Sequence, residues 1–186
     1  MDDQRAVSTT RKVVSGLVFV ALIPLVAMAA VMVSARMGDG PSVVFAGGPL
    51  VAGELATGPE PDWSFVRDVG TIELQLLDPP KSRLIWIVEH EGKAYVVSGY
   101  MGSFIGRLWK RWPIQAERDG RAIIRVDGTR YARTLERIRG GAEVEGVTAE
   151  LRRKYGFVAS RTDIADGSVW LFELGPPSAE MTGVSP

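Results

Sequence analysis

Cysteine is absent from the 186 residues, which excludes disulfide stapling, thiolate metal sites and a cysteine nucleophile, and leaves the compartment to be read from topology. Histidine occurs once, as His90. It falls between Glu89 and Glu91 in an expected hairpin turn, a surface placement from which neither a catalytic triad nor a multi-histidine metal site can be assembled within one chain. Neither charge sign is in excess, with Lys plus Arg and Asp plus Glu at 22 each. No global basic field therefore invites nucleic acid, and no acidic excess suggests a solvating tail. Gly47-Gly48 and Gly53 lack a flanking strand and helix and a P-loop lysine, so they do not form a nucleotide-binding loop. No internal repeat is evident.

A long apolar run is present. Val13 to Ala35 reads VVSGLVFVALIPLVAMAAVMVSA without a charge, and crossing a hydrocarbon core takes about 20 helical residues. Two uses fit it. A cleavable signal would take Val13 to Val26 as its apolar region and Ala27-Met28-Ala29 as its cleavage site. The run continues through Val31, Met32 and Val33, longer than a signal needs, so a retained transmembrane anchor over 13–37 is the adopted expectation. Arg5, Arg11 and Lys12 precede the run, and only Arg36 lies near its far end before Arg67. That bias keeps residues 1–12 cytoplasmic and sends the rest to the periplasmic or extracytoplasmic side.

Residues 38–61 hold GDGP, AGGP and TGPEP and read as a Gly/Pro-rich linker. Its apolar patches, Val43-Val44-Phe45 and Leu50-Val51, are candidates to dock on the domain that follows. That domain is expected over 62–174, with 175–186 as a disordered tail lacking a periodic apolar face. Strands are expected at Thr71 to Leu77, broken by Asp78-Pro79-Pro80, at Leu84 to Glu89, at Ala94 to Ser98, at Ala122 to Val126, at Thr129 to Ile138 and at Ser168 to Leu174. Asp127-Gly128 is a two-residue hairpin turn. Glu143 to Tyr155 places Val144, Val147, Leu151 and Tyr155 on one helical face and stops at Gly156. A second helix is expected at Tyr100 to Trp112, YMGSFIGRLWKRW, with an aromatic face and a basic flank. Its stripe suits core packing, an interfacial membrane helix or a partner surface.

The succession IWIVEHEGKAYVVSG, GRLWKRWP, AIIRVDGTRYART, LRRKYG and VWLFEL resembles the split β-barrel superfamily, which contains the pyridoxamine phosphate oxidase-like flavoproteins and the deazaflavin-dependent nitroreductases. The resemblance covers about Val69 to Leu174. It implies a mainly β fold with α (α+β), a split β-barrel-like domain behind one N-terminal transmembrane helix. It also implies FMN or F420 in a groove, often at a homodimer interface. Lys81, Arg83, Ser98, Arg107, Trp109 and Lys110 would then be the cofactor-binding residues, the cations and Ser98 at the phosphate and Trp109 against the ring system. Asp78-Pro79-Pro80-Lys81-Ser82-Arg83 lacks the glycines of the corresponding loop in deazaflavin enzymes, so loss of the cofactor is the competing expectation.

Two functions therefore stand. One is a membrane-anchored flavin- or deazaflavin-dependent oxidoreductase, in which the cofactor supplies the hydride chemistry and no catalytic side chain is named. The other is a non-catalytic accessory or assembly subunit of a membrane protein complex that uses the Trp109 to Trp112 surface. In both the partner is the membrane, with no nucleic acid and no metal.

Overall fold

The computed structural model describes residues 3–41, 46–102 and 111–182. Helix α1, Asp3–Met37, continues through Pro24. Its Val18–Met37 stretch is long and apolar enough to cross a membrane, and none of it is buried against the rest of the chain.

The remainder is built on a closed barrel of six antiparallel strands: β1 Thr71–Leu77, β2 Pro80–His90, β3 Lys93–Ser98, β4 Arg121–Val126, β5 Thr129–Ile138 and β6 Trp170–Gly175. Their order around the barrel is β1-β2-β3-β6-β5-β4. Period-2 alternation decides the two faces. Ile72, Leu74 and Leu76 of β1, Ala122, Ile124 and Val126 of β4, and Phe172 and Leu174 of β6 join one buried interior cluster. Each large apolar side chain so enclosed contributes about 1.5–3 kcal/mol. Asp127 (φ 46°) and Gly128 (φ 83°) both take positive φ, the geometry a two-residue turn between β4 and β5 demands.

Aromatic side chains close both ends. A 3₁₀ turn, Trp63–Val66, is capped by the Asp62 side chain and sets Trp63 on Tyr131 at 5.2 Å. At the other end helix α2, Trp112–Arg118, rests Trp112 on Phe172 at 5.6 Å, and Gln115 Nε2 donates to the Pro79 carbonyl at 3.0 Å. The helix expected at Tyr100 to Trp112 is thus corrected at both limits. Tyr100 has φ 64° and Met101-Gly102 form a turn. Trp112 opens a helix instead of ending one, because Pro113 occupies its first turn, where a missing N–H costs nothing.

Helix α3, Glu143–Tyr155, ends at Gly156 in the left-handed conformation (φ 64°). Its Val144, Val147 and Leu151 pack with Val88, Tyr95, Val97 and Leu171 on the outside of the barrel. A five-residue helix, α4, Arg161–Ala165, joins them through Ile164 and is held by a Ser160–Asp163 capping box. Residues 175–182, expected to be disordered, include one helical turn, α5, Ala179–Thr182. His90 is corrected too. It is the last residue of β2, paired with Lys93, and its imidazole lies over Gly146, where an added methyl would overlap the ring.

The described part of 38–61 lies against the barrel. Gly47 exchanges backbone hydrogen bonds with Ser82 (3.0 and 3.3 Å), and Ser82 Oγ donates to the Gly48 carbonyl at 2.6 Å. Leu50 is buried and its amide donates to Gln75 Oε1 at 2.7 Å. The amides of Ala56 and Arg130 donate to the carbonyls of Arg130 and Glu54, each at 2.8 Å. Of the two candidate docking patches, Leu50 docks, Val51 is exposed, and 43–45 lie outside the described residues. Asp39 accepts from the Val51 amide at 2.7 Å and pairs with Arg125 at 2.8 Å, which also pairs with Glu73. Burial pushes the Asp39 carboxyl up, but the Val51 amide, Arg125 and the Ala52 amide outweigh it and hold the group below its usual value.

Candidate functional site

β2 pairs with β1 from Pro80↔Leu77 to Trp86↔Thr71, and with β3 only from Ile87↔Val96 to His90↔Lys93. Past Ile87↔Val96, away from the hairpin turn, the two strands diverge. Arg83 to Trp86 on one side and Val97 to Tyr100 on the other line a cavity of about 470 Å³, completed by Ala46, Trp112 and Phe157. That is the volume of a small-molecule site.

Two of its buried polar atoms lack a hydrogen-bond partner. Arg83 is largely buried, its Nε has no hydrogen-bond partner, and its guanidinium carbon lies 6.0 Å from the centroid of the Trp112 ring. Burial alone pulls its pKa down to about 10, and no carboxylate pairs with it among the described residues. Across the cleft Ser98 is buried, and its Oγ also lacks a partner. A buried cation and a buried hydroxyl left without acceptors are costly unless something anionic satisfies them.

The walls are aromatic. Trp86 is 39% exposed and stacks on Tyr155 at 4.5 Å with the planes 7° apart, while Phe157 meets its edge at 5.9 Å. Tyr155 is locked from below. Its hydroxyl accepts from the Ile87 amide at 3.1 Å and lies 2.7 Å from the carbonyls of Gly70 and Ile87, to one of which it donates. Lys154 Nζ donates to the Val66 and Ile87 carbonyls at 2.9 and 2.7 Å. Burial raises the Tyr155 pKa and lowers that of Lys154. These two residues serve the point where β2 changes partner, so the Lys-Tyr-Gly ending of α3 holds up the cavity wall.

Of the six candidate residues, Arg83 and Ser98 meet in one cavity, 15 positions apart in sequence. Lys81, paired with Leu76 at the start of β2, is not among the cavity-lining residues. Arg107, Trp109 and Lys110 lie outside the described residues. Trp112, expected on a partner-binding surface, is 7% exposed and packs in the core. Sequence reasoning missed Trp86, Ala46 and Phe157. Trp86 carried a signal, since on a half-buried strand it shares parity with Leu84, facing away from Ile85 and Ile87.

A scan against protein-family models finds no match, and a search of curated proteins finds none either. The function must therefore be read from the cavity. Among its described lining residues only Arg83 and Tyr100 are ionisable. The walls can hold an anion and stack a ring. No group of at least three His, Cys, Asp or Glu able to hold a metal occurs among the described residues.

Proposed function

We propose that the barrel binds a phosphate-bearing flavin-type cofactor, FMN or F420, in the cavity between β2 and β3, and acts as a membrane-anchored oxidoreductase domain. One observation carries this reading: Arg83, without a counter-charge among the described residues, and Ser98 Oγ, without a hydrogen-bond partner, face the same aromatic-walled cavity. The residues fit the group. Arg83 would hold the phosphate by charge-assisted hydrogen bonds, Ser98 would add a donor, and Trp86 or Phe157 would lie against the ring. A bound cofactor of this class supplies hydride transfer. The chain's own part is to fix the anionic end, orient the ring between β2 and β3, and exclude water with Trp112.

The divergence of β2 from β3 beside an otherwise continuous barrel supports the split-barrel reading. The span Val18–Met37, with Arg5, Arg11 and Lys12 before it, supports an N-terminus in the cytoplasm and the barrel on the extracytoplasmic side. Alkaline phosphatase joined after Pro186 is then active; a signal from a cytoplasm-only reporter instead reverses the topology.

Fluorescence titration of the full chain in detergent with FMN and with F420 tests the cofactor. Saturable binding by the native chain, lost in Arg83→Met and weakened in Ser98→Ala, is expected. Binding of neither cofactor by a folded chain refutes the oxidoreductase reading and leaves the accessory-subunit reading, for a membrane complex or a homodimer, in its place.

A further inference from the structure

We propose that Leu84, Trp86 and Tyr100 at the cavity, with Val158 of the adjoining groove, form a rim that rests on the bilayer surface, so that the cavity opens onto the headgroup layer instead of bulk water. The proposal rests on reading α1 as a membrane span; it does not require any cofactor to be bound.

The argument begins with where the anchor leaves the barrel. At the end of α1 the Ala35 carbonyl accepts from the Gly48 amide at 3.3 Å. Arg36 Nη1 donates to the carbonyls of Gly47 at 3.2 Å and Pro80 at 3.4 Å. Gly47 and Gly48 are in turn bonded to Ser82. The helix end is therefore clasped onto the first residues of β2. Ala46, next to Gly47, lines the cavity. Two and four residues beyond Ser82, on the same face of β2, Leu84 and Trp86 stand 42% and 39% exposed, each step of two residues advancing about 7 Å. The side of the barrel that receives the anchor is thus the side on which the cavity opens.

The exposed side chains there have interfacial chemistry. Tyr100 is 72% and Val158 74% exposed, and both border an adjoining groove together with Phe157. Single exposed apolar residues are ordinary on a protein surface, whereas a contiguous group marks a contact. Trp and Tyr favour the headgroup level, where an apolar ring and a polar tip are both accommodated. The carboxylates nearby are engaged elsewhere: Asp39 with Arg125 and the Val51 amide, and Asp163, which borders the groove, with Ser160 in the cap of α4. Arg36 stands where an anionic headgroup would meet it.

The absence of cysteine makes the test direct. Single variants Val158→Cys, on the rim, and Glu145→Cys carry a nitroxide label in the full chain, reconstituted into phosphatidylcholine–phosphatidylglycerol vesicles. Glu145 is 87% exposed and lies ten residues before Tyr155, about 15 Å back along α3. Collision of each label with oxygen, which partitions into lipid, is compared with collision with a water-soluble nickel chelate. The expected result is a reversal: oxygen dominates at 158 and the chelate at 145. Equal access of the chelate to both labels, on chains that stay with the vesicles through an alkaline carbonate wash, overturns the proposal and leaves the anchor standing. Release by carbonate overturns the anchor reading and the proposal with it. Exclusion of both reagents from 158, with spin–spin broadening, shows a second copy on the rim and also overturns it.

Discussion

Replacing Arg83 by Met should make the ligand-free protein more stable. The guanidinium sits in the cavity wall with an unsatisfied Nε and no carboxylate partner among the described residues. Its pKa, lowered by burial to about 10, corresponds at ~1.4 kcal/mol per pH unit to about 3 kcal/mol of unfavourable desolvation. Against this stands a distant cation–π contact with Trp112 at 6.0 Å, worth about 0.5–1 kcal/mol. Methionine keeps most of the aliphatic stem and its packing, so the net gain should be about 2 kcal/mol, a rise in Tm of several degrees for a domain of this size. The sign with pH follows. A cation whose folded-state pKa lies below its unfolded value imposes its full penalty below pH 10 and is relieved only above it, so the gain is constant from pH 6 to 9. Thermal unfolding of the full chain in detergent, followed by tryptophan emission without phosphate or cofactor, measures it. A loss of more than about 1 kcal/mol in Arg83→Met would mean that the arginine is a structural strut, and the argument for an anion site would fail.

Three further outcomes are expected. Gly146→Ala, ordinarily favourable in a helix by about 1 kcal/mol, displaces the imidazole of His90; a double-mutant cycle with His90→Ala should show the alanine more favourable by about 1 kcal/mol once the ring is gone, and additivity would refute the contact. Tyr155→Phe removes the hydroxyl bound at Ile87 and Gly70 and should cost about 1–2 kcal/mol in urea unfolding while the Trp86 ring stays stacked. The Asp39 carboxyl, held below its unfolded-state value, contributes stability that is present above about pH 4 and is lost as pH falls through its folded pKa; limited proteolysis of residues 46–61 should therefore accelerate as pH falls below about 4, and an unchanged rate would show that Asp39 does not hold the segment.

What was legible in the sequence is what local chemistry decides. Asp127-Gly128 announces a turn because both positions need positive φ. Glu143 to Tyr155 announces a helix because its apolar stripe, charge order and terminal glycine agree. Strand closure was not legible, since pairing β1 with β4 and β3 with β6 joins segments about 50 and 75 residues apart with no local signature. Ser160 and Asp163 carry the spacing of a capping box, yet the helix they open is only five residues long and has little periodicity to detect. At the site, Arg83 and Ser98 were reachable because they lie near the ends of one hairpin. Phe157 and Ala46 were not, because they reach the cavity from just beyond α3 and from the strap, the part of 38–61 that lies against the barrel, whose glycines read as flexibility while Gly47 in fact pairs with Ser82.

The strap also decides where the folded barrel domain of this protein begins. A free tether the length of 38–61 would let the barrel wander about 27 Å, and cutting at Pro61 would cost nothing. Here such a cut would uncover Ser82 and Gln75, both almost inaccessible in the intact chain, empty the seat of Leu50, and strip Arg125 of its Asp39 partner. The autonomous folding unit therefore starts near Asp39, just past the end of α1 at Met37, and the barrel rides on that helix as a head on a stiff neck.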